Sequence, residues 1–221
     1  MESTRRRLLL VLAPGAAALA LRGAVAAEEE AEVGPAEDLM REHGVLRRVM
    51  FLYDEAARLL AGSALPPLDA LGAAAAIVKR VIEDYHEKLE ESFVFPRLEK
   101  AKKLTGLTAT LREQHVAGRK VTAEILRLSK APLAGADRGR LADLLRSFNR
   151  MYRPHAARED TVLFPAFHDL LGNKAWAEMG EMFEAEEKKK LGEQGFEGAV
   201  AQVAKLEEQF GMADLAQFTP R

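Results

Sequence analysis

The chain contains no cysteine. Disulfide bonds, thiolate-bound metal sites and cysteine nucleophiles are therefore excluded. Among the side chains that bind metals strongly, only histidine and the carboxylates remain. The 221 residues include five histidines, few enough for the position of each one to be considered separately.

The sequence also has little net charge and few aromatic residues. A formal net charge of -2 gives no indication of a nucleic-acid partner. Aromatic residues make up 6% of the chain, whereas Ala, Leu, Glu, Lys and Arg are common, which is typical of a helical protein. No stretch alternates convincingly between apolar and polar residues, so we predict no β-sheet. The length suffices for one domain with a substantial core and appendages.

A long apolar run is missing too, because the run at residues 8–21 is short for a transmembrane helix. It follows three arginines at residues 5–7 and precedes the small residues Ala24-Val25-Ala26, which is the order of a secretory signal peptide. We expect residues 1–26 to be such a signal, similar to twin-arginine export signals, and the protein to be periplasmic or otherwise exported. No stable membrane span would remain after cleavage. The alternative is an uncleaved N-terminus that tethers the protein to a membrane.

Helical periodicity begins after an acidic linker at residues 27–35. Four stretches with apolar residues at spacings of three and four, joined by short loops, predict an all-α, up-down-up-down four-helix bundle over residues 36–172. A C-terminal helical extension, residues 173–221, follows. We expect its apolar residues to cover the outside of the bundle; these are Met179, Met182, Phe183, Val200, Val203 and Leu206.

One motif occurs twice, 69 residues apart. Residues 86–96 read HEKLEESFVFP, and residues 155–165 read HAAREDTVLFP. In each copy a His precedes a Glu by four residues, which places both side chains on one helix face. Each copy ends in Phe-Pro, and the two prolines predict matched helix kinks, the alternative being that each proline ends its helix.

Two lone histidines complete a possible metal-binding set. His43 and His115 each lie on an apolar stripe of a helix that carries no His-x-x-x-Glu motif. A buried carboxylate is costly without a partner, and two of them facing one core need neutralisation, which two divalent cations supply. The candidate ligands are His43, His86, Glu90, His115, His155 and Glu159. His168 lies well off the face of His155 and Glu159, so we expect an ordinary surface or capping residue there.

With these motifs the chain resembles the hemerythrin-like family of His-His-Glu (HHE) cation-binding domains. The resemblance covers about residues 36–172 and implies a bundle around a non-haem di-iron centre. By that resemblance His43 and His86 would bind one of two iron ions, and His115 and His155 the other. Glu90 and Glu159 would bridge the irons together with an oxo or hydroxo group.

The sequence departs from the oxygen-carrying members of that family. Their third helix has a second His four residues after the first, where this chain has Arg119. Glu87, which is adjacent to His86, would be the ligand that replaces this missing histidine. The oxygen carriers also place the fourth-helix carboxylate at the position of Asp160, so Asp160 competes with Glu159 for the bridging role; Glu159 repeats Glu90 and is preferred.

The resemblance implies binding or sensing of O₂ or of a related small molecule such as NO or peroxide. The alternatives are a di-iron enzyme that reduces peroxide or NO or oxidises and stores iron, and a structural or metal-storage bundle. The sequence does not decide whether the protein is an enzyme, and it indicates no protein partner.

Overall fold

The computed structural model describes residues 34–130, 132–133 and 135–220. The predicted signal peptide and most of the predicted linker lie outside these residues. Within them the chain forms six long helices, one short 3₁₀ turn and no strand, so the predicted fold class is confirmed. The helices are α1 (Pro35–Ala61), α2 (residues 68–100), α3 (Thr105–Leu128), α4 (residues 135–168), α5 (Asn173–Leu191) and α6 (Gly195–Gln209).

Two of the bundle helices contain π-helical turns. In α2, π-helical segments Val78–His86 and Glu90–Val94 alternate with the α-helical segments Leu68–Ile77, Glu87–Leu89 and Phe95–Lys100. In α4, the π-helical segment Glu159–Leu163 separates Gly135–Arg158 from Phe164–His168. Both helices continue beyond Pro96 and Pro165, so neither proline ends its helix. Two of the π-helical segments, Glu90–Val94 and Glu159–Leu163, match each other and stand directly before the Phe-Pro steps, whereas Val78–His86 has no counterpart in α4.

Helices α1 to α4 form the bundle. Helix α1 packs on α2 and α4, and α3 packs on the same two helices. Because the connecting loops are short, neighbouring helices run antiparallel.

The C-terminal helices cover one side of this bundle. Helices α5 and α6 pack on α1 and α2 and on each other. The predicted contact residues Met179, Phe183, Val203 and Leu206 are buried, and Met182 and Val200 are half-buried. In the described part of the chain, no helix is both long and apolar enough to span a membrane.

The bundle has two apolar cores rather than one. One core includes Leu46, Tyr53, Phe148 and other residues towards the α1–α2 loop. The second includes Leu39, Leu89, Phe95, Phe164 and other residues towards the opposite end. On α1, α3 and α4 the candidate ligands lie in sequence between the members of these two cores, so a polar layer separates the cores.

Candidate metal centre

Each of the six predicted ligands is buried in this polar layer. Helices α1 and α3 carry His43 and His115, and none of the six side chains is more than 4% exposed. The remaining four form the two repeated His-x-x-x-Glu pairs on α2 and α4. The four bundle helices thus direct these six polar side chains into one layer.

The two carboxylates lie between the histidines. Nε2 of His43 and of His155 lie 3.3 Å and 3.0 Å from the carboxylate oxygens of Glu159. Nε2 of His86 and of His115 lie 3.6 Å and 3.4 Å from Oε2 of Glu90. Each carboxylate therefore contacts one histidine from each half of the chain.

The ligand atoms converge in two groups. One consists of His43, His86 and Glu159, and the other of His115, His155 and Glu159; within each group the ligand atoms lie within 4.8 Å of one another. Glu159 belongs to both groups, and Glu90 contacts one histidine of each. The two histidine pairs are those that the family resemblance implies for two metal ions.

Several inward-facing atoms in this layer have no hydrogen-bond partner among the described residues. They are Nε2 of His86, Nε2 of His115 and all four carboxylate oxygens of Glu90 and Glu159. Buried polar atoms are normally hydrogen-bonded, so such a cluster demands another partner. Imidazole nitrogen and carboxylate oxygen together suit iron, manganese or zinc. The residues present therefore fit a metal centre.

A hydrogen bond from the outer nitrogen orients each of the four imidazoles. Nδ1 of His43 donates to Asp160 at 2.6 Å, and Nδ1 of His86 donates to Glu42 at 2.7 Å. The same atom donates from His115 to Glu91 at 3.1 Å and from His155 to Gln114 at 2.8 Å. Because carboxylate and amide oxygens accept, Nδ1 carries a proton in each pair, and Nε2 is the atom that would bind a metal. This carboxylate–histidine arrangement is common around protein-bound metals.

These outer partners repeat with the same symmetry as the ligands. Glu42 and Gln114 each precede a lone histidine in sequence, and Glu91 and Asp160 each follow a candidate bridging glutamate. Arginines four residues after the lone histidines complete the pattern. Arg47 pairs with Asp160, and Arg119 pairs with Glu91 at 2.6 Å. Arg119, at the position of the oxygen carriers' fifth histidine, is thus the counterpart of Arg47.

The repeated Phe-Pro steps also contribute to the centre. The ring of Phe164 stacks on His43 with a centroid distance of 5.7 Å, and the ring of Phe95 stacks on His115 at 5.6 Å. The phenylalanines thereby cover the lone histidines and restrict their orientation.

Glu87 belongs to a polar cluster beside His115 and His155. Its Oε1 accepts a hydrogen bond from the Tyr152 hydroxyl at 2.8 Å, and its Oε2 lies 2.7 Å from Arg119. The ligand atoms of Glu87, Glu91 and His115 also lie within 4.8 Å of one another. Since the guanidinium of Arg119 contacts both carboxylates, this third group is an ion-pair cluster rather than another metal site.

The carboxylates shift the titration of the histidines. Burial alone would lower the pKa of His43, but Asp160 and Glu159 outweigh it and raise that pKa to about 9. For His115, Glu90 and Glu91 likewise outweigh burial and raise the pKa to about 10. Burial and then the charge of His43 lower the pKa of His86 well below its ordinary value. Without metal the layer therefore holds protons on His43 and His115, which a cation binding at Nε2 would displace.

His168 and Glu83 lie outside the two groups of converging ligand atoms. His168 is exposed, and its ring packs against Trp176 at a centroid distance of 4.4 Å. Glu83 is buried towards Thr122 and Glu87. The sequence predicted the six inward-facing residues and indicated Asp160 as a neighbour of the centre. It did not indicate Glu42, Glu91 and Gln114 as histidine partners, although each is adjacent in sequence to a candidate ligand.

Comparison with known proteins agrees with this geometry. The family profile of the Hemerythrin HHE cation binding domain matches residues 34–167. Similar proteins include uncharacterized proteins of Mycobacterium bovis and Mycobacterium tuberculosis, each 46% identical over 195 residues, which cover 87% of this chain and 76% of the relative. No solved structure matches the chain significantly. The chain therefore belongs to the hemerythrin HHE family of cation-binding domains.

Proposed function

We propose that the protein binds two iron ions at His43, His86, Glu90, His115, His155 and Glu159. The observation that carries this proposal is that Glu90 and Glu159 each lie between one histidine of each pair. A carboxylate in that position can bind one metal with each oxygen. A single metal ion would leave one histidine pair unused.

The charge balance supports two divalent cations. Six buried or half-buried carboxylates contact the four imidazoles or the arginines beside them; they are Glu42, Glu87, Glu90, Glu91, Glu159 and Asp160. Two arginines, Arg47 and Arg119, pair with members of this set. Carboxylates outnumber guanidiniums in this set, so bound cations would offset the excess of acidic groups. Uncompensated charge in this layer would be expensive.

Metal analysis and an absorption spectrum of natively purified protein, before and after exposure to O₂, test the proposal. We expect close to two irons per chain. His43→Ala and His115→Ala should each lower the metal content, and the exposed His168→Ala is the matched control that should leave it unchanged. One metal per chain, or zinc regardless of the metal supplied, would refute the two-iron proposal.

We further propose that the centre binds O₂, NO or peroxide. Bound iron supplies reversible electron transfer to such ligands at open coordination positions. The protein contributes four imidazoles and two carboxylates, too few atoms to fill the coordination of two six-coordinate ions, and Arg119 cannot donate a fifth imidazole. The flanking apolar cores limit access to small molecules. Spectral titration of the ferrous protein with NO and with O₂ tests this step; no spectral change with either ligand would refute it.

An enzymatic role in reducing peroxide or NO is the second candidate. The Tyr152–Glu87 hydrogen bond favours it, because the Tyr152 ring lies 5.2 Å from that of His155 and its hydroxyl is a buried hydrogen-bond donor beside the centre. For an enzyme of this kind, Tyr152→Phe should slow peroxide consumption in the presence of an added electron donor while the iron content stays constant. Equal rates in both proteins would argue for binding alone.

We also propose that the protein acts outside the cytoplasm. The proposal is supported by residues 1–26, whose basic, apolar and small-residue order is that of an export signal.

A further inference from the structure

On α1, the carboxylate that orients the lone histidine is held by an arginine of the same helix. Nδ1 of His43 donates to Oδ1 of Asp160 at 2.6 Å, and Arg47 donates to Oδ2 of the same residue. Because residues four apart lie on one helix face, α1 presents both donors to this single carboxylate of α4. Both oxygens of Asp160 are therefore engaged, and the carboxylate cannot turn without losing one of the two contacts.

On α3, the same arrangement occurs around the other lone histidine. Oε1 of Glu91 accepts from Nδ1 of His115 at 3.1 Å and from Arg119 at 2.6 Å. Arg119 also lies 2.7 Å from Oε2 of Glu87, whose other oxygen accepts the hydrogen bond of Tyr152. The guanidinium of Arg119 thus joins the carboxylate that orients His115 to a second buried pair.

These ion pairs act on orientation more than on the stability of the fold. The side chains of Asp160 and Glu91 are each 18% exposed, so without an anchor each carboxylate could rotate towards solvent. Arg47 is 46% exposed and contacts one carboxylate among the described residues, whereas Arg119 is 28% exposed and contacts two. Partly exposed ion pairs contribute little to the free energy of unfolding. A fixed carboxylate nevertheless restricts the imidazole that donates to it, and Arg119 should do so more firmly than Arg47.

We infer that Arg47 and Arg119 are positioning residues of the metal centre, which act through Asp160 and Glu91 on the lone histidines. By holding these carboxylates, the arginines fix each Nδ1 contact before a metal ion arrives, so that Nε2 of each ring is directed inwards. Ligands that are already oriented lose less conformational freedom on binding, which increases affinity. This inference rests on the proposed metal-binding function. It also assigns a task to residue 119, at which the oxygen carriers have a histidine: here the side chain acts through Glu91 rather than as a ligand.

The charge of the two guanidiniums acts on metal affinity in the opposite direction. A nearby positive charge repels a cation, so its removal alone would strengthen metal binding. Loss of the group that orients a metal ligand instead weakens binding, typically by about 10–100-fold. Salt screens the repulsion, because both arginines are partly exposed. The direction of the change in affinity therefore separates a positioning role from a purely electrostatic one.

The test is titration of metal-free full-length protein with Co²⁺ at physiological salt, followed by the visible absorption of the bound ion. Arg119→Met should weaken binding about 10–100-fold. Arg47→Met should weaken it by a smaller factor, because Arg47 holds one carboxylate and is more exposed. Arg119→Lys keeps a cationic donor and should recover part of the lost affinity. All three variants should bind as much Co²⁺ at saturation as the unaltered protein, since every candidate ligand remains.

Arg48→Met is the matched control. Arg48 follows Arg47 directly on α1 and is 33% exposed, and its Nε lies 2.7 Å from Glu207 of α6, which is not a candidate ligand. This variant removes one arginine and one ion pair of the same kind. It should lower the melting temperature slightly and leave the affinity for Co²⁺ unchanged.

The outcomes separate this inference from the proposed function. Unchanged or tighter binding in both Arg47→Met and Arg119→Met would overturn the positioning role and leave the metal centre intact. An equal loss of affinity in Arg48→Met would also overturn it, because the cause would then be general loosening of the bundle. If the unaltered protein binds no Co²⁺, the proposed function itself fails. If Arg119→Met has lost its helical circular dichroism, Arg47→Met decides, because it changes the more exposed of the two side chains.

Discussion

At the scale of single residues, adjacent positions in the chain have two different tasks. In Glu42-His43, Gln114-His115, Glu90-Glu91 and Glu159-Asp160, one residue faces the centre and the other orients a histidine of a neighbouring helix. Consecutive residues on an α-helix point about 100° apart, as 3.6 residues per turn require, so the second residue naturally reaches the next helix. The two His-x-x-x-Glu pairs could be predicted from their four-residue spacing, and the lone histidines from their places on apolar stripes. Which histidine each outer residue orients could not be predicted, because the two residues of each pair lie on different helices.

Glu159 and Asp160 provide the sharpest test of this division. Glu159→Ala should remove most of the di-iron absorption, since both candidate metal ions would lose a ligand. Asp160→Ala should retain two metals at saturation but bind them about 10–100-fold more weakly, because Asp160 orients His43 and contributes as an outer partner. Metal titrations followed by absorption distinguish the two. If Asp160→Ala abolished the spectrum and Glu159→Ala kept it, the bridge would follow the oxygen-carrier arrangement.

Gly118 is required by the position of Tyr152. A Cβ atom at residue 118 would lie 2.0 Å from the Tyr152 hydroxyl oxygen and 2.8 Å from the nearest atom of its ring. We expect Gly118→Ala to destabilise the protein by about 1–3 kcal/mol, since overpacking forces a buried side chain to move. Gly139→Ala is the control, because nothing lies within 4 Å of its Cβ, and it should stabilise α4 by about 0.5–1 kcal/mol. Urea unfolding of both variants measures the difference; equal stabilities would show that Tyr152 adjusts without cost.

At the scale of helices, the sequence predicts which segments are helical better than it predicts their internal geometry. Glu90 and Phe95 are five residues apart, as are Glu159 and Phe164, and in a regular α-helix such residues point to different sides. A π turn bonds residues five apart, so it brings the Phe ring of each pair back towards the layer that its Glu faces. The bundle and the ligand faces followed from periodicity. The π turns did not, because they result from packing Phe95 on His115 and Phe164 on His43.

Asp38 shows the energetic cost of burying a charged carboxylate between α1 and α5. Burial, and then the charge of Glu187, raises the pKa of Asp38 to about 6 from its ordinary 3.8. The folded state therefore binds more protons than the unfolded state between these values, and stability falls as pH rises through this window. Above pH 6 the full penalty is present. Asp38→Asn should then stabilise the metal-free protein by about 1–2 kcal/mol at pH 8, after allowance for solvent screening, and by little at pH 4.5.

Urea unfolding of metal-free protein and of Asp38→Asn at these two pH values measures this effect. A gain of the same size at both would mean that the asparagine acts by packing rather than by removing a buried charge. A loss of stability at pH 8 would show that the ion pair of Asp38 with Arg41 outweighs its burial.

At the scale of the whole molecule, the proposed centre would make stability depend on metal, because the polar layer between the two apolar cores contains buried atoms without hydrogen-bond partners. Binding to the native state alone raises the free energy of unfolding by about 4 kcal/mol when free metal is a thousand times its Kd. We expect a higher melting temperature for iron-loaded protein than for metal-free protein. The gain should be smaller in His115→Ala and unchanged in His168→Ala. Identical melting curves with and without iron would contradict a buried centre shared by four helices.

The export route of the whole molecule determines where the metal would be bound. If the three arginines at residues 5–7 belong to a twin-arginine signal, the chain crosses the membrane already folded, and the metal layer is filled in the cytoplasm. We expect protein from its native host to lack about the first 26 residues and to lie outside the cytoplasm, as intact-mass measurement of fractionated cells would show.

Arg5→Lys combined with Arg6→Lys should retain the full-length precursor in the cytoplasm. Lys79→Arg changes an exposed basic position within the bundle and is the control that should leave export unchanged. Continued export of the double variant would favour passage as an unfolded chain, and metal would then have to be bound outside the cytoplasm. An intact Met1 on cytoplasmic protein would refute export altogether.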